Sequence, residues 1–244
     1  MPTAVRYLLF DVFGTLFDWR SGVAQALGDF LSEIGRKDLE PFALADAWRR
    51  QYQPSMDPIR RDLRAFVPLD VLHRESLDHV LTKVGIYVET IGDRLDDLNL
   101  AWHRLPAWTD VAPGLATLRE RFFVAPLSNG NFSLLGDLAD RGGIVWDRIL
   151  GAEATKRYKP DPRSYLETLE ILGAQPKEAM MVAAHERDLE AAARCGLRTA
   201  YISRPEEFGL AQGQAFASSA WDIATDSLPS LSECLAKLAE GERW

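Results

Sequence analysis

The spacing of apolar residues changes character twice along this chain. Tyr7, Leu8, Leu9 and Phe10 form a continuous apolar run ending at Asp11, the pattern of a strand buried on both faces of a parallel sheet. Phe13, Gly14 and Thr15 follow, with Gly14 marking a tight turn. From about residue 19 to residue 108 the spacing is mostly helical. Ser21 reads as the cap of a first helix with Val23, Leu27, Phe30 and Leu31 on one face. Ala43, Ala47 and Trp48 predict a second helix, and Val71, Leu72, Leu77, Val80, Leu81 and Val84 a third. Ile91, Leu95, Leu98, Leu100 and Leu105 predict a fourth, and Pro54, Pro58 and Pro68 punctuate the region. Beyond residue 108 short apolar runs return at 122–127, 148–151, 180–184 and 199–202, with helical stretches such as 163–172 and 188–195 between them.

Alternating strands and helices predict an α/β protein with a doubly wound, Rossmann-like parallel sheet. The order is one strand, a long helical insert, then the rest of the sheet. Residues 1–18 and 105–244 are therefore expected to form the core, and residues 19–104 a helical cap inserted after the first strand. Ligands bind such sheets beyond the carboxyl ends of the strands. Asp11, Ser128, Asn129, Ala184 and His185 stand at those ends. The small, polar residues 212–219 read as a surface loop.

Charge removes some functional classes. With 28 Lys and Arg against 36 Asp and Glu, the net charge is −8, which argues against nucleic-acid binding, where clustered cations must meet phosphates. No apolar run approaches the roughly 20 residues of a membrane helix. The N-terminal residues lack the long apolar stretch and cleavage site of a signal peptide. Cys195 and Cys234 are the only cysteines, too few for a disulfide scaffold or a cysteine-based zinc site. A reduced, cytoplasmic protein is expected.

Asp11 carries the first chemical signal. A carboxylate at a strand end serves as a nucleophile if neighbouring cations keep it ionised; an Asp that merely caps the following turn is the plain alternative. The context is Asp11-Val12-Phe13-Gly14-Thr15, followed far downstream by Ser128-Asn129-Gly130, by Lys159-Pro160-Asp161, and by residues 182–188. In this order these segments resemble the four motifs of the haloacid dehalogenase superfamily, over nearly the whole chain.

That superfamily contains phosphatases and dehalogenases. Phosphatase-like members carry a second Asp two positions after the nucleophile and an acidic magnesium ligand after the fourth-motif strand. Here those positions are Phe13 and Ala184. Phe13 has no proton to donate, and a lost carboxylate weakens an oxygen-ligated magnesium site. The aromatic at position 13 is similar to the L-2-haloacid dehalogenase branch, which uses no metal and no organic cofactor.

The resemblance implies roles residue by residue. Asp11 is the nucleophile, and Arg49, beside Trp48, meets the leaving halide, with Arg50 as the fallback. Ser128 and Asn129 position the substrate carboxylate, Phe13 lines the pocket, and Lys159 holds Asp11 ionised. Tyr165 faces the site from a helix, and Asp188 orients Lys159 and the hydrolytic water. His185 replaces the usual Asn and is expected to orient or activate water. Trp102 and His103 lie in a junction resembling a sub-branch whose members include some that accept small fluorinated acids; they line the pocket or form an aromatic hinge.

The implied activity is hydrolysis of short (S)-2-haloalkanoic acids, haloacetates included, to 2-hydroxy acids through an Asp11 ester. Phosphatase activity, or opening of a small strained ring acid, is the alternative. The implied partners are an anionic haloacid and halide, and relatives of this branch are often homodimers.

Overall fold

Four consecutive apolar residues place β1 (Tyr7–Phe10) at the centre of the molecule, with Leu8, Leu9 and Phe10 fully buried. The computed structural model describes residues 4–209 and 221–239; the expected surface loop at 212–219 lies outside the described residues. After β1 come α1 (Trp19–Glu33), α2 (Pro41–Arg50), α3 (Tyr52–Arg60), α4 (Leu69–Lys83) and α5 (Arg94–Asn99). The chain continues through α6 (Val111–Arg119), β2 (Phe123–Ser128), α7 (Phe132–Gly142), β3 (Leu150–Gly151), α8 (Ala152–Thr155) and α9 (Pro162–Leu172). It closes with β4 (Ala179–Ala183), α10 (Glu186–Arg194), β5 (Arg198–Ile202), β6 (Ile223–Thr225) and α11 (Leu228–Ala239).

The strands form one sheet in the order β3-β2-β1-β4-β5-β6, and each neighbouring pair is parallel. Phe10 registers with Pro126 of β2 and Val182 of β4, so the residues following β1, β2 and β4 leave the sheet at one edge. Side chains alternate across the sheet, as strand geometry requires. Leu8 and Phe10 join a core cluster on one face that runs on into the helices between β1 and β2, and Leu9 joins a second cluster on the other face.

The helices between β1 and β2 pack on one another, α1 on α2 and α4 against α2, α3 and α5. The chain leaves and re-enters the sheet side by side. Asp18 N donates to Pro106 O at 2.9 Å, Trp108 N to Leu16 O at 2.9 Å, and Trp108 Nε1 to Gly14 O at 2.9 Å.

Three local expectations are corrected. The cap of α1 is Asp18, whose side chain accepts from Ser21 N at 3.0 Å; Ser21 is the capped residue. The stretch containing Pro54 and Pro58 is not a break but helix α3, with Pro58 inside it. The expected fourth helix is the six-residue α5 flanked by 3₁₀ turns at Val88–Thr90 and Leu100–His103. Among the described residues no helix is long and apolar enough to cross a membrane.

Candidate active site

Asp11 leaves β1 with its backbone N–H bonded to Val182 O of β4 at 3.0 Å. Among the described residues its carboxylate has three side-chain partners. Thr15 Oγ1 donates to Oδ2 at 2.8 Å, His185 Nδ1 lies 3.1 Å from Oδ2, and Lys159 Nζ donates to Oδ1 at 3.0 Å. Thr15 is itself fixed, because its hydroxyl oxygen accepts from Ala184 N at 2.9 Å. Burial alone would raise the Asp11 pKa, but Lys159 and His185 outweigh it and hold the carboxyl well below the usual range.

Lys159 stands in the loop before α9. Its backbone N–H donates to Asn129 Oδ1 at 2.7 Å and its carbonyl accepts from Arg60 Nη2 at 2.6 Å. Its ammonium bridges Asp11 and Asp188. Burial disfavours that ammonium, yet the two carboxylates raise its pKa above the ordinary lysine value. Asp188, in the first turn of α10, also accepts from Tyr165 Oη at 2.5 Å. Burial, with Asp11 nearby, pushes the Asp188 carboxyl up despite Lys159. The neighbouring Asp161 accepts from Arg163 N at 2.9 Å and caps α9, with Pro162 at its start. That cap places Tyr165 in the opening turns.

His185 sits between two carboxylates. Nδ1 faces Asp11, and Nε2 lies 3.0 Å from both oxygens of Glu207. Burial would lower its pKa, but Glu207 and Asp11 overcome that and raise it to about 10. With an acceptor at each nitrogen, the ring is an imidazolium at neutral pH. Glu207 is 2 % exposed and also accepts from Trp19 Nε1 at 2.9 Å. Nothing in the local sequence marks this residue.

The opposite wall comes from the helices between β1 and β2. Arg49 lies near the end of α2, its guanidinium carbon 4.0 Å from the Tyr52 ring centroid, 5.2 Å from that of Trp19 and 6.0 Å from that of Trp102. Arg49 Nη1 is buried with no hydrogen-bond partner among the described residues. Beneath it Phe13 meets Tyr52, His73 and Trp102 edge-on at 5.7 to 6.3 Å. His73 stacks on Trp102 at 4.3 Å. Burial pushes its imidazole down to about 3.

Between these walls lies a cleft of about 200 Å³. Asp11, Phe13, Arg49, Asn129, Lys159, Tyr165, His185 and Asp188 all line it, as expected from sequence, and so do Tyr52, Gln53, Pro160 and Arg187, which were not anticipated. Asn129 Oδ1 accepts from Lys159 N at 2.7 Å, and its side chain also meets the Tyr52 hydroxyl. Three expected residues lie elsewhere. Ser128 is buried, its hydroxyl oxygen accepting from Gly130 N at 3.2 Å. Trp102 is buried among the aromatic rings rather than on the cleft surface. His103 is drawn away by Asp137 and Asp70, at 2.7 and 3.1 Å, and ties the helical segment to α7. Arg50, the fallback, is exposed.

Phe13 and Ala184 occupy the positions where a phosphatase would hold its acid and metal ligand, and an ammonium fills the space between Asp11 and Asp188. Among the described residues no group of three His, Cys, Asp or Glu side chains is placed to hold a metal ion.

Known proteins resemble this chain in sequence and fold. (S)-2-haloacid dehalogenase 1 of Pseudomonas sp. (strain CBS-3) is 31% identical over 214 residues, 85% of this chain and 89% of that one. The crystal structure of a defluorinating L-2-haloacid dehalogenase superposes with a TM-score of 0.91 at 47% identity, covering 95% of both chains. A second L-2-haloacid dehalogenase structure gives 0.89 at 40% identity, covering 96% of this chain and all (100%) of the other. The model of the haloacid dehalogenase-like hydrolases matches residues 5–196, and the chain belongs to that family.

Proposed function

We propose that the protein hydrolyses short (S)-2-haloalkanoic acids to (R)-2-hydroxy acids, and haloacetates to glycolate. The observation that carries this reading is the opposition across one small cleft of an ionised, doubly cation-paired Asp11 and an Arg49 guanidinium with an unpartnered N–H. The first arrangement suits a nucleophile. The second suits a leaving anion, since an unpartnered cationic donor over aromatic rings is free to receive one.

Asp11 Oδ1, which carries only the Lys159 bond, attacks C2 in line. The C2–halogen bond breaks, its electron pair leaves with the halide toward Arg49, and C2 inverts. Asn129 Nδ2 holds the substrate carboxylate, and exposed Arg187 at the rim draws the anion in. Lys159 is then freed of Asp11's charge, and with Asp188 it holds a water against the ester carbonyl carbon Cγ. The water proton passes to Asp188. Cγ–Oδ1 breaks, the departing alkoxide takes that proton, and Asp11 keeps the water oxygen, losing its own proton to solvent. Desolvation of the carboxylate by the aromatic wall and fixed proximity account for the rate. Residues 19–104 act as a cap supplying Arg49, over a core of residues 1–18 and 105–244. The close likeness to a defluorinating relative and the small cleft support fluoroacetate as a substrate.

A single turnover in ¹⁸O-water tests the ester. Label is expected in Asp11, with unlabelled product from the first cycle. Labelled product with unlabelled Asp11 would mean that water attacks C2 directly.

A further inference from the structure

In the reaction above His185 serves only as a counter-charge to Asp11 and Glu207 has no part, yet both are built into the site with care. Glu207 is anchored by Trp19 and His185 at 2.9 to 3.0 Å, although it comes from the turn after β5 and Trp19 from the start of α1. It occupies space that only a glycine leaves open. A Cβ on Gly14 would sit 2.1 Å from Glu207 Oε1, and Gly14 has φ +83°. Gly14 therefore serves the turn and also makes room for a carboxylate behind His185. The imidazole, in turn, points at one particular atom. Nδ1 meets Asp11 Oδ2, the oxygen that also receives Thr15, whereas Lys159 meets Oδ1.

That division matters once Oδ1 has been alkylated. Oδ2 is then the ester carbonyl oxygen, and it becomes the oxyanion when water adds to Cγ. Its two donors, Thr15 Oγ1–H and His185 Nδ1–H, are already in place at 2.8 and 3.1 Å. Preorganised donors aimed at developing charge are the largest single source of catalysis in acyl transfer. We propose that His185 and Thr15 form the oxyanion site for breakdown of the Asp11 ester, and that Glu207 is the residue that positions His185 for it. His185 acts as a donor to Oδ2, rather than orienting or activating the water as expected from its place in the fourth motif. Water attack turns the Cγ–Oδ2 double bond into a single bond bearing negative charge, and collapse restores the double bond as Cγ–Oδ1 breaks. No proton leaves His185 in either direction.

The two roles differ in the sign of their pH dependence. His185 faces Asp11, with Lys159 and Asp188 beyond it, on the cleft side, and Glu207, Glu186, Glu190, Tyr201 and Arg204 on its outer side, with Arg187 bordering both. Its imidazolium persists to about pH 10 in the free enzyme. In the ester Asp11 is neutral, one flanking anion is gone, and the titration moves below that value. A donor loses activity as pH rises through this titration, whereas a base gains it.

This inference rests on the Asp11 ester, so the experiment reads the two separately. Rapid acid quench with intact-protein mass spectrometry follows ester formation and ester loss in the unaltered enzyme, in Glu207→Gln and in Glu207→Asp, with 2-chloropropionate across pH 6 to 10. Ester hydrolysis in the unaltered enzyme should decline on the alkaline side. Glu207→Gln should slow hydrolysis about tenfold or more, accumulate ester, leave its formation near normal and move the alkaline decline to lower pH. Glu207→Asp should recover part of the rate. Hydrolysis that instead rises through the same range in the unaltered enzyme would overturn the donor role, whether or not the variants fold. Equal slowing of both half-reactions, or an unchanged pH profile in Glu207→Gln, would reduce Glu207 to a structural residue. Absence of any ester mass in both the unaltered enzyme and Glu207→Gln, with product still formed, would overturn the ester itself and this inference with it.

Discussion

On the sheet side of the cleft, charge is met by charge: Asp11, Lys159, Asp188, His185 and Glu207 form one connected chain of ion pairs. On the helical side, Arg49 lies over three aromatic rings with a buried Nη1, and among the described residues neither it nor either ring nitrogen of His73 has a hydrogen-bond partner. The histidines show how far the two environments diverge, His185 being raised to about 10 and His73 lowered to about 3. A nucleophile buried in protein must be paired, or it takes up a proton and stops reacting. A receiver for a leaving anion must remain unpaired, because a resident carboxylate would occupy the place the halide needs. One wall therefore stores paired charge and the other stores unpaired charge, held in place by ring faces.

Removing the charge that the ionic wall is built around should have the largest effect. Asp11→Asn is expected to lower steady-state halide release by about 10⁴-fold or more, and a residual rate above a few per cent would detach the ionic wall from the chemistry. Arg49→Lys keeps the charge of the other wall and loses the flat guanidinium that lies on the rings. First-turnover halide release should fall roughly 10²-fold, and an unchanged rate would mean that charge alone suffices there.

The next two predictions concern stability. His73 has a folded pKa of about 3 against an ordinary 6.5, so the unfolded chain takes up the proton first as pH falls. Its contribution is intact above about 6.5 and is lost progressively between there and about 3, reaching about 3 kcal/mol at pH 4. His73→Phe, which removes both unpartnered nitrogens, should flatten the fall of Tm between pH 6.5 and 4. The smallest effect is expected at His103, whose pKa is raised: burial lowers it, but Asp70 and Asp137 prevail. Stability from that contact is present below the unfolded value and disappears as pH rises through the folded one. With Asp137 largely exposed, His103→Gln should cost about 1 kcal/mol at pH 6 and less at pH 9, read as urea midpoints.

Much of the ionic wall was legible before any coordinates. Asp11 ends an apolar run, Lys159 stands just before a helix capped by Asp161 with Pro162 at its start, and Asp188 lies in the first turn of α10, so local pattern alone puts each near a strand or helix end. Glu207 was not legible. It reaches Trp19 across 188 positions of sequence, and only the glycine at position 14 leaves a trace of it. Tyr52 was hidden by its neighbours, since Pro54 and Pro58 suggested a break where α3 continues. Trp102 and His103 were recognised as a junction, but their side chains answer to His73, Asp70 and Asp137, none of which the junction itself reveals.

Sequence by itself determined the alternation of strands and helices, the helical insertion after β1 and an Asp at the end of that strand, all of which follow from periodicity and residue chemistry at fixed local spacing. The expected nucleophile role of Asp11 and the lack of a phosphatase's second carboxylate came from the family resemblance. Only the tertiary structure decided which cations meet which oxygen of Asp11, that Arg49 keeps a free donor, and that His185 is charged while His73 is neutral. Those properties depend on what lies within about 3 to 6 Å of each group, and in this fold the deciding neighbours come from segments far apart in the chain.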